Sequence, residues 1–193
     1  MGSLLFRAFL THPHFPYMSL PTISTITLRP HVPADVSILF AFEQDPVWGA
    51  MSMTKPRDEA TFRAAWKRVL GENLHQRAIL ANGVLCGSIG CLWTPTPAPT
   101  PDSPGSPDAA GSSGKWMIGY GLGPAYWGKG IASRALTLLL AEVPQRPLFA
   151  TAAASNAASI RVLEKHGFVL VARTMAGETV RCLAREEVEM VLA

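Results

Sequence analysis

The run Tyr126-Trp127-Gly128-Lys129-Gly130-Ile131-Ala132 carries the clearest chemical signal in this sequence. It stands between a strand pattern at 115–122 and a helix pattern in which Ala132, Leu136, Leu139, Leu140 and Val143 share one face. A glycine-rich turn at a helix start leaves backbone N–H groups unpaired and aimed at one spot, where the helix dipole adds partial positive charge. Gly128 and Gly130 have no Cβ, so an anion can approach the backbone closely. The chemistry that suits this turn is pyrophosphate binding. The stretch from Gly123 to Gly130 misses a P-loop match at one residue: Gly130 stands where a Ser or Thr would have to hold Mg²⁺, which argues against a nucleotide hydrolase, and bulky Pro124, Tyr126 and Trp127 suit a phosphate-wrapping loop poorly. A dinucleotide fingerprint read through Gly128 and Gly130 ends on Ser133 and lacks its last glycine.

A second segment follows a short apolar strand pattern at 147–152. It runs Asn156-Ala-Ala-Ser159-Ile-Arg161-Val-Leu163-Glu164-Lys165-His166-Gly167-Phe168. Together with the glycine loop, in this order and at this separation, it resembles the GNAT superfamily of N-acetyltransferases. Within the superfamily it is most similar to the RimJ/RimL-like branch, which acetylates protein N-termini and other amines. Leu28-Arg29-Pro30, then Asp35 and Asp45-Pro46, match the usual opening of that branch. The resemblance spans about residues 24–192.

The resemblance implies acetyl-CoA as cofactor, a primary amine as acceptor and direct attack in a ternary complex. The acceptor is either a protein α-amine or a small molecule. It implies that Trp127, Gly128, Lys129, Gly130, Ile131 and Ala132 hold the pyrophosphate. It also implies that the strand ending near Leu122, with Tyr120, pairs with the pantetheine arm, and that Asn156 touches that arm. Gly119, Gly121 and Gly123 there allow a bulge and close ligand approach, or simply weaken the strand. Asn156 is equally suited to cap the helix after it. Lys129 reads as a phosphate neighbour or as a solvated lysine; Arg161, Glu164 and Lys165 read as a solvated face.

Leu163 replaces the general-acid tyrosine of much of the superfamily, an absence shared by the RimJ/RimL-like branch. Ser159, one helical turn earlier, is the substitute: its hydroxyl either bonds the departing thiolate or satisfies the helix start. The strand at 115–122 has no carboxylate. A base must come from Glu43, Glu189 or water. An α-amine with a pKa of about 7.7–8.0 needs less help than lysine at about 10.4. The missing tyrosine and carboxylate also suit a non-catalytic acyl-CoA-binding or regulatory protein of the same fold.

Composition narrows the field. A chain of 193 residues with 48% hydrophobic and 16% charged residues reads as one globular domain, here 21–193. A net charge of +3 without a basic cluster argues against nucleic acid, and no apolar run approaches a membrane span. Cys86, Cys91 and Cys182 are odd in number and lack metal-ligand spacing; they fit a reducing compartment, the cytoplasm, and no metal is expected. Residues 1–20 read as a mobile tail, and a monomer or homodimer is expected.

The elements that must position these residues follow from periodicity. Ile26 and Leu28 alternate as a strand. A helix opens at Pro33 and Asp35 and runs through Phe42, with Asp45-Pro46 as its stop. A second begins near Asp58 with Phe62, Trp66 and Leu70 as its buried stripe. Strands at 76–81 and 84–93 flank Asn82-Gly83, a hairpin turn. Residues 94–114, rich in Pro, Ser and Gly, read as a disordered insertion between paired strands. A strand at 148–152, a helix at 156–166 ended by Gly167, a strand at 168–172 and a final alternating strand through Val188, Met190 and Leu192 complete an α/β fold. The resemblance makes this a GNAT-like mixed, mostly antiparallel sheet with helices on both faces.

Overall fold

A computed structural model of the chain describes residues 22–71, 75–95, 114–179 and 182–193. The tail expected at 1–20 lies outside these residues. The chain forms β1 (Ile26–Arg29), α1 (Asp35–Glu43), α2 (Pro46–Ser52), α3 (Glu59–Gly71), β2 (His75–Ala81), β3 (Val84–Pro95) and β4 (Gly114–Leu122). A single 3₁₀ turn, Pro124–Tyr126, leads to α4 (Ile131–Glu142). Then come β5 (Leu148–Ala153), α5 (Ala157–Glu164), β6 (Val169–Ala176) and β7 (Arg185–Leu192). The seven strands lie in the order β1-β2-β3-β4-β5-β7-β6. Every neighbouring pair is antiparallel except β4 with β5. This is the mixed, mostly antiparallel sheet expected.

Alternation along β2 explains how both faces are covered. Ile79 and Ala81 join Leu136 and Leu139 of α4 and Leu163 of α5 in one cluster. Ala78, one residue over, joins Val36 and Leu39 of α1 and Phe62 of α3 on the other face. Leu136 and Leu139 are fully buried. Truncating either to Ala costs ~2–5 kcal/mol.

Three expectations need correction. Asp45-Pro46 does not merely end α1. The Asp45 carboxylate accepts from the Val47 and Trp48 N–H groups, and Pro46 takes the first position of a new helix, α2. The proline that cannot continue one helix is pre-shaped to begin the next. No bulge interrupts β4, whose register with β3 runs unbroken from Gly87–Leu122 to Pro95–Gly114. The irregularity is in the β2–β3 pairing, where Ile79 faces Gly87 and Leu80 faces Leu85, skipping Cys86. Finally, the hairpin stem takes in Thr94, Pro95 and Gly114 from the stretch read as an insertion, and 96–113 lie outside the described residues. The Asn82-Gly83 turn forms as expected, with positive φ at both residues.

A buried polar cluster fixes β1 and α1 against β3. The Arg29 guanidinium donates twice to Asp35, both at 2.7 Å, and the Val32 N–H adds a third bond at 2.9 Å. His31 sits with Nδ1 3.3 Å from Asp35 and Nε2 3.0 Å from the Ser88 hydroxyl, its ring edge-on to Trp66. Burial lowers the His31 pKa and wins over the raising effect of Asp35. For Asp35, burial would raise the pKa, but hydrogen bonds from Arg29, Val32 and His31 outweigh it and hold the carboxyl low.

Both groups therefore bind protons more readily in the unfolded chain. Stability from His31 is complete above its unfolded value near 6.5 and is lost as pH falls through the lower folded value. Asp35 adds a second loss further down, below 3.8. The melting temperature should fall between about pH 7 and about pH 5, and fall less steeply in His31→Gln. Parallel pH profiles for the two proteins contradict this assignment.

Candidate active site

β4 and β5 pair only at Trp116–Leu148 and Met117–Phe149. From Ile118 onward that edge of β4 has no neighbouring strand among the described residues. Successive strand residues turn their N–H and C=O groups to alternate sides. The Gly123 N–H donates to the Cys86 carbonyl on β3, while the Leu122 carbonyl accepts from the Trp127 indole Nε1–H at 2.8 Å. Leu122, and with it Tyr120, therefore presents its backbone polar groups to the open side.

A cleft of about 490 Å³ occupies this gap. Its walls are residues 120–122 of β4, the loop 126–130, the first turn of α4, one face of α5, and Trp48, Met51 and Ser52 of α2. Gly128 and Gly130 both have φ 71°, the left-handed region that glycine enters without strain, and a Cβ at either would meet nothing within 4 Å. Gly130 caps α4 with no side-chain hydrogen bond to the helix start. Buried Ile131 anchors that turn in the core. Ala132 and Ser133 line the cleft beside it.

The charge of the cleft has one sign. Lys129, Arg161 and Lys165 line it, and among the described residues no carboxylate does. The Lys129 ammonium folds back onto the Ala125 carbonyl. Ala158, Arg161, Val162 and Lys165 recur at helical spacing and put their common face of α5 on the cleft.

Asn156 caps α5, accepting the Ser159 N–H at 3.0 Å, and its amide N–H₂ reaches the Met51 carbonyl at 3.4 Å, tying α5 to α2. The Ser159 hydroxyl is 2.8 Å from the Tyr120 hydroxyl, which also donates to the Ser159 carbonyl at 3.1 Å. Burial raises the Tyr120 pKa, and the Ser159 bond only partly offsets it, so the phenol is protonated at neutral pH. Leu163 is 1% exposed and belongs to the core, not to the cleft.

The structure brings together Tyr120, Leu122, Trp127, Gly128, Lys129, Gly130, Ile131, Ala132, Asn156 and Ser159. It does not bring in Glu43. That carboxylate is 5% exposed and accepts from the Arg57 Nε at 2.8 Å and the Arg57 backbone N–H at 3.0 Å, behind α2 and outside the cleft. Nor does Glu189 reach it, being held by Lys115 at 2.6 and 2.9 Å. Sequence reasoning missed Arg161 and Lys165 as cleft residues: their i,i+4 spacing shows that they share a face of the helix, not that this face meets the cleft. It also missed the Tyr120–Ser159 contact, which links residues 39 apart.

Comparison with known proteins agrees with this geometry. The acetyltransferase (GNAT) domain family matches residues 25–169, and the chain belongs to that family, whose cosubstrate is acetyl-CoA. No curated protein matches the sequence. Among solved structures, an N-acetyltransferase from Staphylococcus aureus Mu50 superposes with a TM-score of 0.67 at 20% identity, covering 88% of this chain and 98% of its own. A ribosomal-protein-alanine N-acetyltransferase from Brucella melitensis gives 0.65 at 19%, covering 86% and 98%. Spermidine N-acetyltransferase from Vibrio cholerae, in complex with CoA and spermine, gives 0.64 at 13%, covering 88% and 95%. At these identities the likeness is one of fold.

The glycines make a prediction about the loop. Gly119, in β4, also has nothing within 4 Å of an added Cβ, but its φ is ordinary. Gly130→Ala should lose about 1–2 kcal/mol of stability for its left-handed φ, whereas Gly119→Ala should stay within about 0.5 kcal/mol of wild type. Urea unfolding decides between them, and equal losses contradict the conformational argument.

Proposed function

We propose that the protein transfers the acetyl group of acetyl-CoA to a primary amine by direct attack in a ternary complex. The observation that carries this reading is the cleft itself. An uncapped helix start, two glycines at positive φ and three cations without a carboxylate line one gap in the sheet. These residues fit a ligand with a pyrophosphate and an extended arm. Backbone N–H groups at the start of α4 hold the pyrophosphate, with Gly128, Gly130 and Trp127 shaping the loop. Lys129, Arg161 and Lys165 supply positive charge nearby. The open edge at Tyr120 and Leu122 takes the arm by strand-like hydrogen bonds, and Asn156 borders it. When bound, acetyl-CoA supplies a thioester, an acyl group already activated toward amines.

The chain's own groups then do three things. They orient the two reactants, they polarise the carbonyl with a backbone N–H of the open β4 edge, and they deliver a proton from Ser159 to the leaving sulfur. With Glu43 and Glu189 both engaged elsewhere, water takes the proton from the amine. That favours an acceptor of low basicity: an α-amine at about 7.7–8.0 loses its proton more readily than a lysine at about 10.4. A protein α-amine and a small amine of similar basicity both satisfy these conditions.

Acetyl-CoA should raise the melting temperature, by linkage equivalent to about 2.7 kcal/mol at a hundredfold excess over Kd. Gly130→Glu should abolish the shift, because it adds strain and a negative charge where the phosphates lie. Incubation with acetyl-CoA and a pooled amine library should release free thiol, most with amines of low pKa. Equal shifts in both proteins contradict the assignment of the cleft. A shift without thiol release leaves an acyl-CoA-binding protein in place of a transferase.

A further inference from the structure

The Tyr120 side chain crosses the gap that β4 and β5 leave open. Its ring packs against the α4–α5 core, and its hydroxyl meets the first turn of α5 at both Ser159 oxygens. No other tyrosine hydroxyl among the described residues is bonded to a side chain of the cleft. The chain has three tyrosines. Tyr126 lies across the loop against Phe42, and Tyr17 lies outside the described residues. The position where helical spacing would set a tyrosine beside Ser159 holds core Leu163 instead. The phenol beside the cleft thus reaches Ser159 from the strand.

We propose that Tyr120 is a positioning residue that acts through Ser159, forming a two-hydroxyl relay to the leaving sulfur. The inference rests on the acetyltransferase reading and adds a second residue to its proton path. A serine hydroxyl alone has one proton and no fixed direction. The phenol's one proton has two acceptors, the Ser159 carbonyl at 3.1 Å and the Ser159 Oγ at 2.8 Å; when it turns to Oγ, the serine's own O–H is free to turn toward the cleft. Donation from Tyr120 makes Ser159 a stronger donor, since hydrogen bonds in a chain polarise one another.

The balance of the step is simple. The thioester C–S bond breaks as the N–C bond forms. The Ser159 Oγ–H proton goes to sulfur, the Tyr120 proton refills Oγ, and water returns a proton to the phenolate. The amine nitrogen gives one proton to water. One proton has then moved in net from nitrogen to sulfur, and no oxidant or metal is consumed. The raised Tyr120 pKa keeps the phenol protonated, and therefore a donor, through the pH range in which a thiol titrates.

The bland alternative is that Tyr120 merely tethers β4 to α5. The two readings separate on the thiol of bound CoA, followed by the ultraviolet absorbance of the thiolate during a pH titration of the CoA complex. A relay stabilises the thiolate, so its loss raises the bound thiol pKa. Ser159→Ala should raise it by about one unit. Tyr120→Phe should raise it by a smaller but measurable amount, and the double variant should match Ser159→Ala, because Tyr120 acts only through Ser159. Ser159→Thr, which keeps the hydroxyl, should titrate like wild type. Melting scans and CoA affinity, measured alongside, report the tether: a purely structural Tyr120 moves these and leaves the thiol pKa unchanged. Identical thiol titrations in wild type and Tyr120→Phe overturn the relay, as does a double variant shifted by the sum of the two single effects. Failure of wild type to bind CoA overturns the acetyltransferase reading itself.

Discussion

The two parallel strands at the middle of the sheet share only two residue pairs before they separate. Much of the rest of the site follows from that. Backbone N–H and C=O groups must find partners, and from Ile118 to Leu122 one edge of β4 finds no strand among the described residues. The Leu122 carbonyl is met by the Trp127 indole, which pins the glycine loop to the strand end. The start of α4 sits beside the same gap with no side-chain cap. Asn156 holds the start of α5 on the far side, and the Tyr120 hydroxyl spans between. Closing the gap would remove the exposed edge and the cleft together.

Electrostatics sorts the charged residues into two groups. Carboxylates near the site are spent on structure: Asp35 on Arg29, Glu43 on Arg57, Glu189 on Lys115. Cations line the cleft in the form of Lys129, Arg161 and Lys165. Buried Glu43 illustrates why a sequence position is a poor guide to a base. With two guanidinium bonds and a backbone N–H on its oxygens, it is engaged by Arg57 and lies outside the cleft.

How far the sequence could be read depended on the range of the interaction. Local signals were legible: Asn82-Gly83 gave its hairpin, Gly128 and Gly130 marked the loop, and the stripe through Leu136 and Leu139 marked α4. Asp45-Pro46 was misread because a helix stop and a helix start use the same two residues, and only the partners of the Asp45 carboxylate tell them apart. Arg161 and Lys165 looked like any solvated helix face, since periodicity does not say which side meets a cleft. The Tyr120–Ser159 pair was out of reach altogether, because it depends on two strands parting rather than on any local pattern.

The most direct measurement of the central claim is the set of backbone amide signals that move when CoA is added to isotopically labelled protein. Ligand seated in the β4–β5 gap perturbs amides of residues 120–122, 127–133, the first turn of α5 and Trp48, Met51 and Ser52 of α2, and leaves α1, with Glu43, and α3, with Arg57 before it, still. Perturbations centred on that second region, or spread evenly over the sheet, contradict the account.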